Sequence, residues 1–166
     1  MIKVLVSACL LGEKVRYHGG DAACADDVLD LWKREGRLVS VCPETAGGLP
    51  VPRPPAEIVG GGGAAVLRKE AYVGDLTGAD VTEAFVRGAR AALQAAVAAG
   101  ARIAVLKDGS PSCATTYLYD GTFRGQRGAG QGVATAMLEE AGIRVFSEAQ
   151  LEAAAAHLET LEREGS

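Results

Sequence analysis

Three short apolar, β-prone runs at residues 2–6, 37–41 and 102–106 alternate with helical patterning, which constrains the chain to an α/β fold built on a parallel sheet. A fourth run at 143–146 extends the series. In such a sheet all C-terminal strand ends lie on one edge, the edge where ligands and cofactors bind. Cys9, Cys42 and Cys113 each follow one of the first three runs within a few residues, in loops rich in Gly, Pro and Ser. The fold therefore predicts that cysteines 33 residues (9 to 42) and 71 residues (42 to 113) apart become neighbours in space.

The 166 residues are the length of a single domain, 1–166. A chain of this size buries roughly two-thirds of its unfolded surface and needs no staples. Lys plus Arg total 17 against 21 Asp plus Glu, a formal charge of −4, so no global basic field attracts nucleic acid and a small-molecule partner is expected. The N-terminal Met-Ile-Lys-Val-Leu-Val enters a strand pattern at once, without the apolar segment and cleavage site of a leader. No run approaches the roughly 20 apolar residues that span a bilayer, so no membrane partner is expected. A cytoplasmic location follows as the expectation. There thiols stay reduced, and a set of cysteines means metal or catalysis more often than disulfides.

Residues 21–35 carry Ala23, Val28, Leu31 and Trp32 at helical spacing, with Gly36 as a stop and Cys24 falling inside the helix as a small buried residue. Five prolines between 43 and 55 mark a loop long enough to suggest function. Gly60 to Gly63 separate residues 57–59 from the alternating segment 65–73, a hairpin or flap in which the glycines form a turn rather than a phosphate cradle. Asp80 and Glu83 read as a capping box opening a long helix to about Ala99, which Gly100 ends. Residues 108–130 read as a second functional loop, followed by a helix over about 131–141. Ser147 and Gln150 form another capping box, opening a helix whose buried stripe is Leu151, Leu158 and Leu161. The sum is one three-layer, Rossmann-like α/β domain with a mainly parallel sheet of about four strands and a small hairpin or flap.

A closed structural metal site normally has four protein ligands; three loop cysteines leave a position open for water or substrate, which suits catalysis. Glu44, two residues after Cys42, is placed to exchange protons with such a ligand, or to pair with Arg53. Ser110 and Ser112 bracket Pro111 before Cys113; their hydroxyls can orient water or bond a cluster sulfur, and turn chemistry explains them as well. Arg16, Tyr17 and Lys107 stand at the site edge, where the cations offset thiolate charge. His18 reads as a solvated loop histidine, and His157 as remote. The glycines at 128, 130 and 132 open a helix whose free amides can take an anion or carbonyl, although as a dinucleotide fingerprint the segment is misplaced.

These motifs resemble those of the thiouracil desulfidase family: Ser7-Ala-Cys9-Leu-Leu-Gly12 with Arg16-Tyr17, Cys42-Pro-Glu44, Gly47-Gly48-Leu49-Pro50, Pro52-Arg53-Pro54-Pro55, Lys107, Ser110-Pro-Ser112-Cys113 and Gly130-Gln-Gly132-Val133. The match covers nearly the whole chain. The resemblance implies a 4Fe-4S cluster held by Cys9, Cys42 and Cys113 with one iron open, and hydrolytic, non-redox removal of sulfur from a thiolated uracil to give uracil and hydrogen sulfide. It places Glu44 as acid/base and Ser110 as the assisting serine; from their own chemistry and position, Arg16, Lys107, Ser112, Gly130 and Gly132 are the candidates for binding the pyrimidine. Ala114 stands where relatives often have Gly, and His18 where many have Asp; neither removes a cluster ligand.

A non-catalytic metal- or sulfur-binding module using the same three cysteines is the alternative. A thiol redox protein is disfavoured by the lack of any Cys-x-x-Cys. The acidic balance disfavours tRNA as the carrier of the thiolated base, while a local rim of Arg16, Arg53, Arg124 and Arg127 leaves it open.

Overall fold

The computed structural model describes residues 1–165. In chain order the elements are β1 (Val4–Ser7), a 3-10 turn (Ala8–Leu11), α1 (Asp27–Arg34), β2 (Leu38–Val41), α2 (Pro43–Ala46), β3 (Ala56–Val59), α3 (Gly63–Leu67) and β4 (Tyr72–Asp75). There follow α4 (Thr82–Ala99), β5 (Ile103–Leu106), β6 (Tyr117–Tyr119), β7 (Arg127–Ala129), α5 (Val133–Glu140), β8 (Arg144–Ser147), a second 3-10 turn (Glu148–Gln150) and α6 (Leu151–Glu164).

The main sheet has the order β2-β1-β5-β8 and is parallel throughout. All four residues of β1 and of β5 are buried, as expected of central strands covered on both faces. Their alternation sorts the core into two layers. Val4 and Val6 face Leu29 and Trp32 of α1 and Leu151, Leu158 and Leu161 of α6. Leu5 faces Ala92 and Ala96 of α4 and Leu138 of α5. The expected three-layer α/β architecture is thus observed, with two antiparallel hairpins, β3–β4 and β6–β7, added beside it. The first packs through Ile58 and Val73 against Phe85 and Ala89 of α4.

Several boundaries differ from the sequence reading. Asp26, not the residues near 21, opens α1: its Oδ1 accepts from Val28 N at 2.7 Å, and Asp21 turns the preceding chain by accepting from Ala23 N. Cys24 therefore lies outside the helix, half-buried, with its amide bonded to Leu10 O. A helix, α3, does start within the glycine run and sits between the strands of the β3–β4 hairpin, so the flap is a β-α-β insertion rather than a simple turn. Within the proline-rich loop, Pro43 occupies the first turn of the short α2, where its missing N–H is harmless. Val81 flanks α4 without a side-chain cap, and Asp80 instead bonds Thr82 N and Oγ1. The Ser147–Gln150 capping box is present as read. Among the described residues no helix is long and apolar enough to cross a membrane.

Candidate active site

The sheet register aligns the strand ends: Ser7 lies opposite Val41, and Leu106 opposite Ser147. Cys9 sits in the 3-10 turn after β1, Cys42 directly follows β2, and Cys113 lies in the loop between β5 and β6. Because β1 is flanked by β2 on one side and β5 on the other, these loops adjoin where the strand order reverses, the place where open α/β sheets bind ligands. All three cysteines line one cavity of about 380 Å³, together with Arg16, Glu44, Lys107, Ser110 and Ser112. The outer wall is supplied by the accessory hairpins through Glu57, Leu76, Tyr117, Tyr119 and Phe123.

Two close approaches set the loops in place. A Cβ on Gly88 of α4 would stand 1.8 Å from Pro43 O, and one on Gly47 would stand 2.0 Å from Ala84 O, so the Cys42 loop presses backbone to backbone on α4. Gly132 plays the same part for the third cysteine: its Cβ would lie 2.5 Å from Ser112 O. This contact lets Pro111 and Ser112 carbonyls accept from the first amides of α5, Val133 N, Ala134 N and Thr135 N, while Thr135 Oγ1 donates to Cys113 O. The amides of Gly130 and Gly132 are themselves spent on Thr116 O and Ala114 O, and neither glycine lines the cavity. These two glycines support the Cys113 loop through their amides and lie outside the cavity lining.

Asp108 anchors the same loop from inside. Its Oδ1 accepts from the amides of Gly109, Thr115 and Thr116 at 2.9–3.0 Å, and its Oδ2 accepts from Thr116 Oγ1. Burial alone would raise its pKa, but these hydrogen bonds outweigh it and hold the carboxyl below the usual range. Its only sequence signal is the Asp-Gly turn pair after β5.

The cysteines are free thiols, with Cys9 and Cys113 buried and Cys42 half-buried. Burial first, then the neighbouring Cys42, pushes the Cys9 thiol up to about 11, against the lowering fields of Arg16 and Lys107. Burial pushes Cys113 up to about 12, although hydroxyls of Ser112 and Ser7 hydrogen-bond its sulfur. Metal ligation deprotonates a thiol outright and so offsets this rise. Among the described residues no group of three or more His, Cys, Asp or Glu is gathered closely enough to hold a metal ion. A mononuclear site draws its ligands onto one centre, whereas a cluster spreads its thiolates over different irons. Three cysteine sulfurs lining one cavity are the thiolate donor set that such clusters use.

Glu44 is held at both oxygens. Arg53 Nε donates to its Oε1 at 3.1 Å, and Ser112 Oγ donates to its Oε2 at 2.8 Å. Glu44 thus lines the cavity and is paired with Arg53, the pairing that its position in the sequence offered. Of the two serines, Ser112 touches Glu44. Ser110 Oγ lies 3.2 Å from Ser112 Oγ and accepts from Cys113 N at 2.8 Å. Lys107 Nζ donates to Asp108 O and lies 3.7 Å from Glu148. His18 is exposed and outside the cavity lining, its Nδ1 accepting from Gly20 N. Cys24 does not line the cavity either. Phe123, which does, adopts φ of 59°, a conformation no sequence pattern announces.

A family model described as 2-thiouracil desulfurase matches residues 4–150. The uncharacterized protein YbbK of Bacillus subtilis (strain 168) is 43% identical over 148 residues, covering 89% of this chain and 97% of its own. A solved structure described as 4Fe-4S-dependent thiouracil desulfidase TudS superposes with a TM-score of 0.88 at 46% identity, covering 96% of this chain and 99% of that one.

Proposed function

The chain belongs to the 2-thiouracil desulfurase family, and from that membership we propose that it removes sulfur from a thiolated uracil by hydrolysis without net electron transfer. It is an enzyme acting on a carbon–sulfur bond, with a 4Fe-4S cluster as cofactor. In this reading Cys9, Cys42 and Cys113 hold the cluster. The observation that carries the reading is that Glu44, hydrogen-bonded to Ser112, shares one cavity with the three thiols.

When bound, the cluster supplies one iron without a protein ligand, a Lewis acid for the thiocarbonyl sulfur. Lys107 and Arg16 add positive charge to the cavity wall and orient the polar edge of the pyrimidine. Glu44 takes a proton from a water as the water oxygen bonds to the ring carbon, leaving a tetrahedral carbon that bears both oxygen and sulfur. The carbon–sulfur bond then breaks, and the protons pass to the departing sulfur through Glu44. Thiouracil and water become uracil and hydrogen sulfide, with no change in oxidation state. Ser112 donates to Glu44 throughout, and Ser110, one hydroxyl further on, completes a short chain of exchangeable protons.

The test is anaerobic reconstitution with iron and sulfide, followed by incubation with 2-thiouracil and 4-thiouracil in oxygen-18 water. Cluster absorption, sulfide release and one labelled oxygen per uracil, with no reductant consumed, are expected. Absence of both the absorption band and sulfide release overturns the reading.

A further inference from the structure

We propose that Arg53 is a positioning residue that fixes the carboxylate of Glu44 for the proton transfers assigned to it above, an inference that rests on that reading. Its guanidinium is buried, with 5% of the side chain exposed, and it bonds two points of its own β2–β3 connection and the separate Cys9 loop. Nε donates to Glu44 Oε1 at 3.1 Å in the Cys42 loop, Nη2 to Val15 O at 2.9 Å in the Cys9 loop, and Nη1 to Pro50 O at 3.1 Å in its own loop. The backbone joins in, since Arg53 N donates to Tyr17 O at 2.7 Å.

Three bonds in one plane leave the guanidinium no freedom to rotate, so Nε defines where Oε1 must sit. Ser112 Oγ holds Oε2 from the opposite side at 2.8 Å. A carboxylate has about four acceptor sites, so these two bonds leave others for a water in the cavity. The carboxylate is thereby presented in one orientation. Arg53 also supplies the countercharge for Glu44, whose side chain is only 14% exposed; a buried carboxylate stripped of its partner is costly to keep. Lysine can replace the charge and one of the bonds, but not the planar fork that ties the two cysteine loops together.

The test uses Arg53→Met, Arg53→Lys, Glu44→Gln and the Arg53→Met/Glu44→Gln double variant, each reconstituted with iron and sulfide. Iron content, melting temperature, and kcat and KM for 4-thiouracil are measured. Arg53→Met is expected to retain its iron and lose roughly 10- to 100-fold in kcat, the cost typical of an orienting partner. KM should stay within about twofold, because the interaction serves the transition state rather than binding. Arg53→Lys should recover part of the loss. In the Glu44→Gln background Arg53→Met should cost nothing further, since a residue acting through Glu44 has nothing left to position.

Equal losses from Arg53→Met with and without Glu44 overturn the proposal, as does an iron-loaded Arg53→Lys enzyme with wild-type kcat. If Arg53→Met fails to fold or to hold iron, Arg53→Lys decides alone by the same criterion. A fully active Glu44→Gln enzyme instead sinks the reading of Glu44 itself.

Discussion

The Ser112 hydroxyl donates to Glu44 Oε2 at 2.8 Å, tying the loop after β5 to the loop after β2 across 68 residues of sequence. The hydroxyl has one proton, and it also lies 3.5 Å from Cys113 Sγ and 3.2 Å from Ser110 Oγ. Ser112 therefore couples the proposed proton carrier to the proposed cluster ligand.

Ser112→Ala is expected to lower kcat roughly 10- to 100-fold while iron is retained, because the bond to Glu44 at 2.8 Å is far shorter than the 3.5 Å contact to Cys113 Sγ. Ser110→Ala removes the acceptor for Cys113 N and should speed iron loss to a chelator. Steady-state kinetics and chelation rates on both variants check the pair. The reverse pattern would return the assisting role to Ser110.

Single substitutions of Cys9, Cys42 or Cys113 by Ala should abolish or cripple the cluster absorption band, whereas Cys24→Ala should leave it unchanged, since Cys24 does not line the cavity. Iron and sulfide content per chain provides the readout. A Cys24→Ala protein without iron would contradict the three-ligand assignment.

Gly88→Ala tests the backbone contact beneath Cys42. With the added methyl directed at Pro43 O, 1.8 Å away, either α4 or the Cys42 loop must shift. Overpacking of this kind costs about 1–3 kcal/mol, and the melting temperature should fall accordingly, with incomplete iron uptake. A variant as stable and as fully loaded as the parent would show that the loop moves freely.

Asp108 predicts a pH dependence of stability. Its folded-state pKa is depressed, so the ionised carboxylate contributes stability that is present above the unfolded value near about pH 4 and is lost as pH falls through the folded value. Asp108→Asn removes that contribution, because the side chain no longer ionises and the NH2 in place of Oδ2 cannot accept from Thr116 Oγ1. The melting temperature of the unloaded protein should drop in Asp108→Asn at neutral pH, and the gap to wild type should narrow below about pH 4. A gap that does not change with pH would place the Asp108 effect elsewhere.

What the sequence determined by itself was local or periodic. The apolar runs of β1 and β5 specify buried parallel strands because both faces are covered, and Gly100 and the Ser147–Gln150 pair mark helix ends through contacts within a few residues. The position of Cys9, Cys42 and Cys113 at one sheet edge follows from those strands. Tertiary structure decided the rest. Whether Ser110 or Ser112 reaches Glu44 depends on where two loops meet, and the pairing of Arg53 with Glu44 depends on the Cys9 loop offering Val15 O. Gly130 and Gly132 read as anion-binding amides only until Thr116 and Ala114 claim them. Cys24 left its helix because Asp26 is the better cap and Leu10 O takes the Cys24 amide. In each case several hydrogen-bonding alternatives are open to the same local sequence. The choice is made by groups distant along the chain, once burial has removed water as a competing partner.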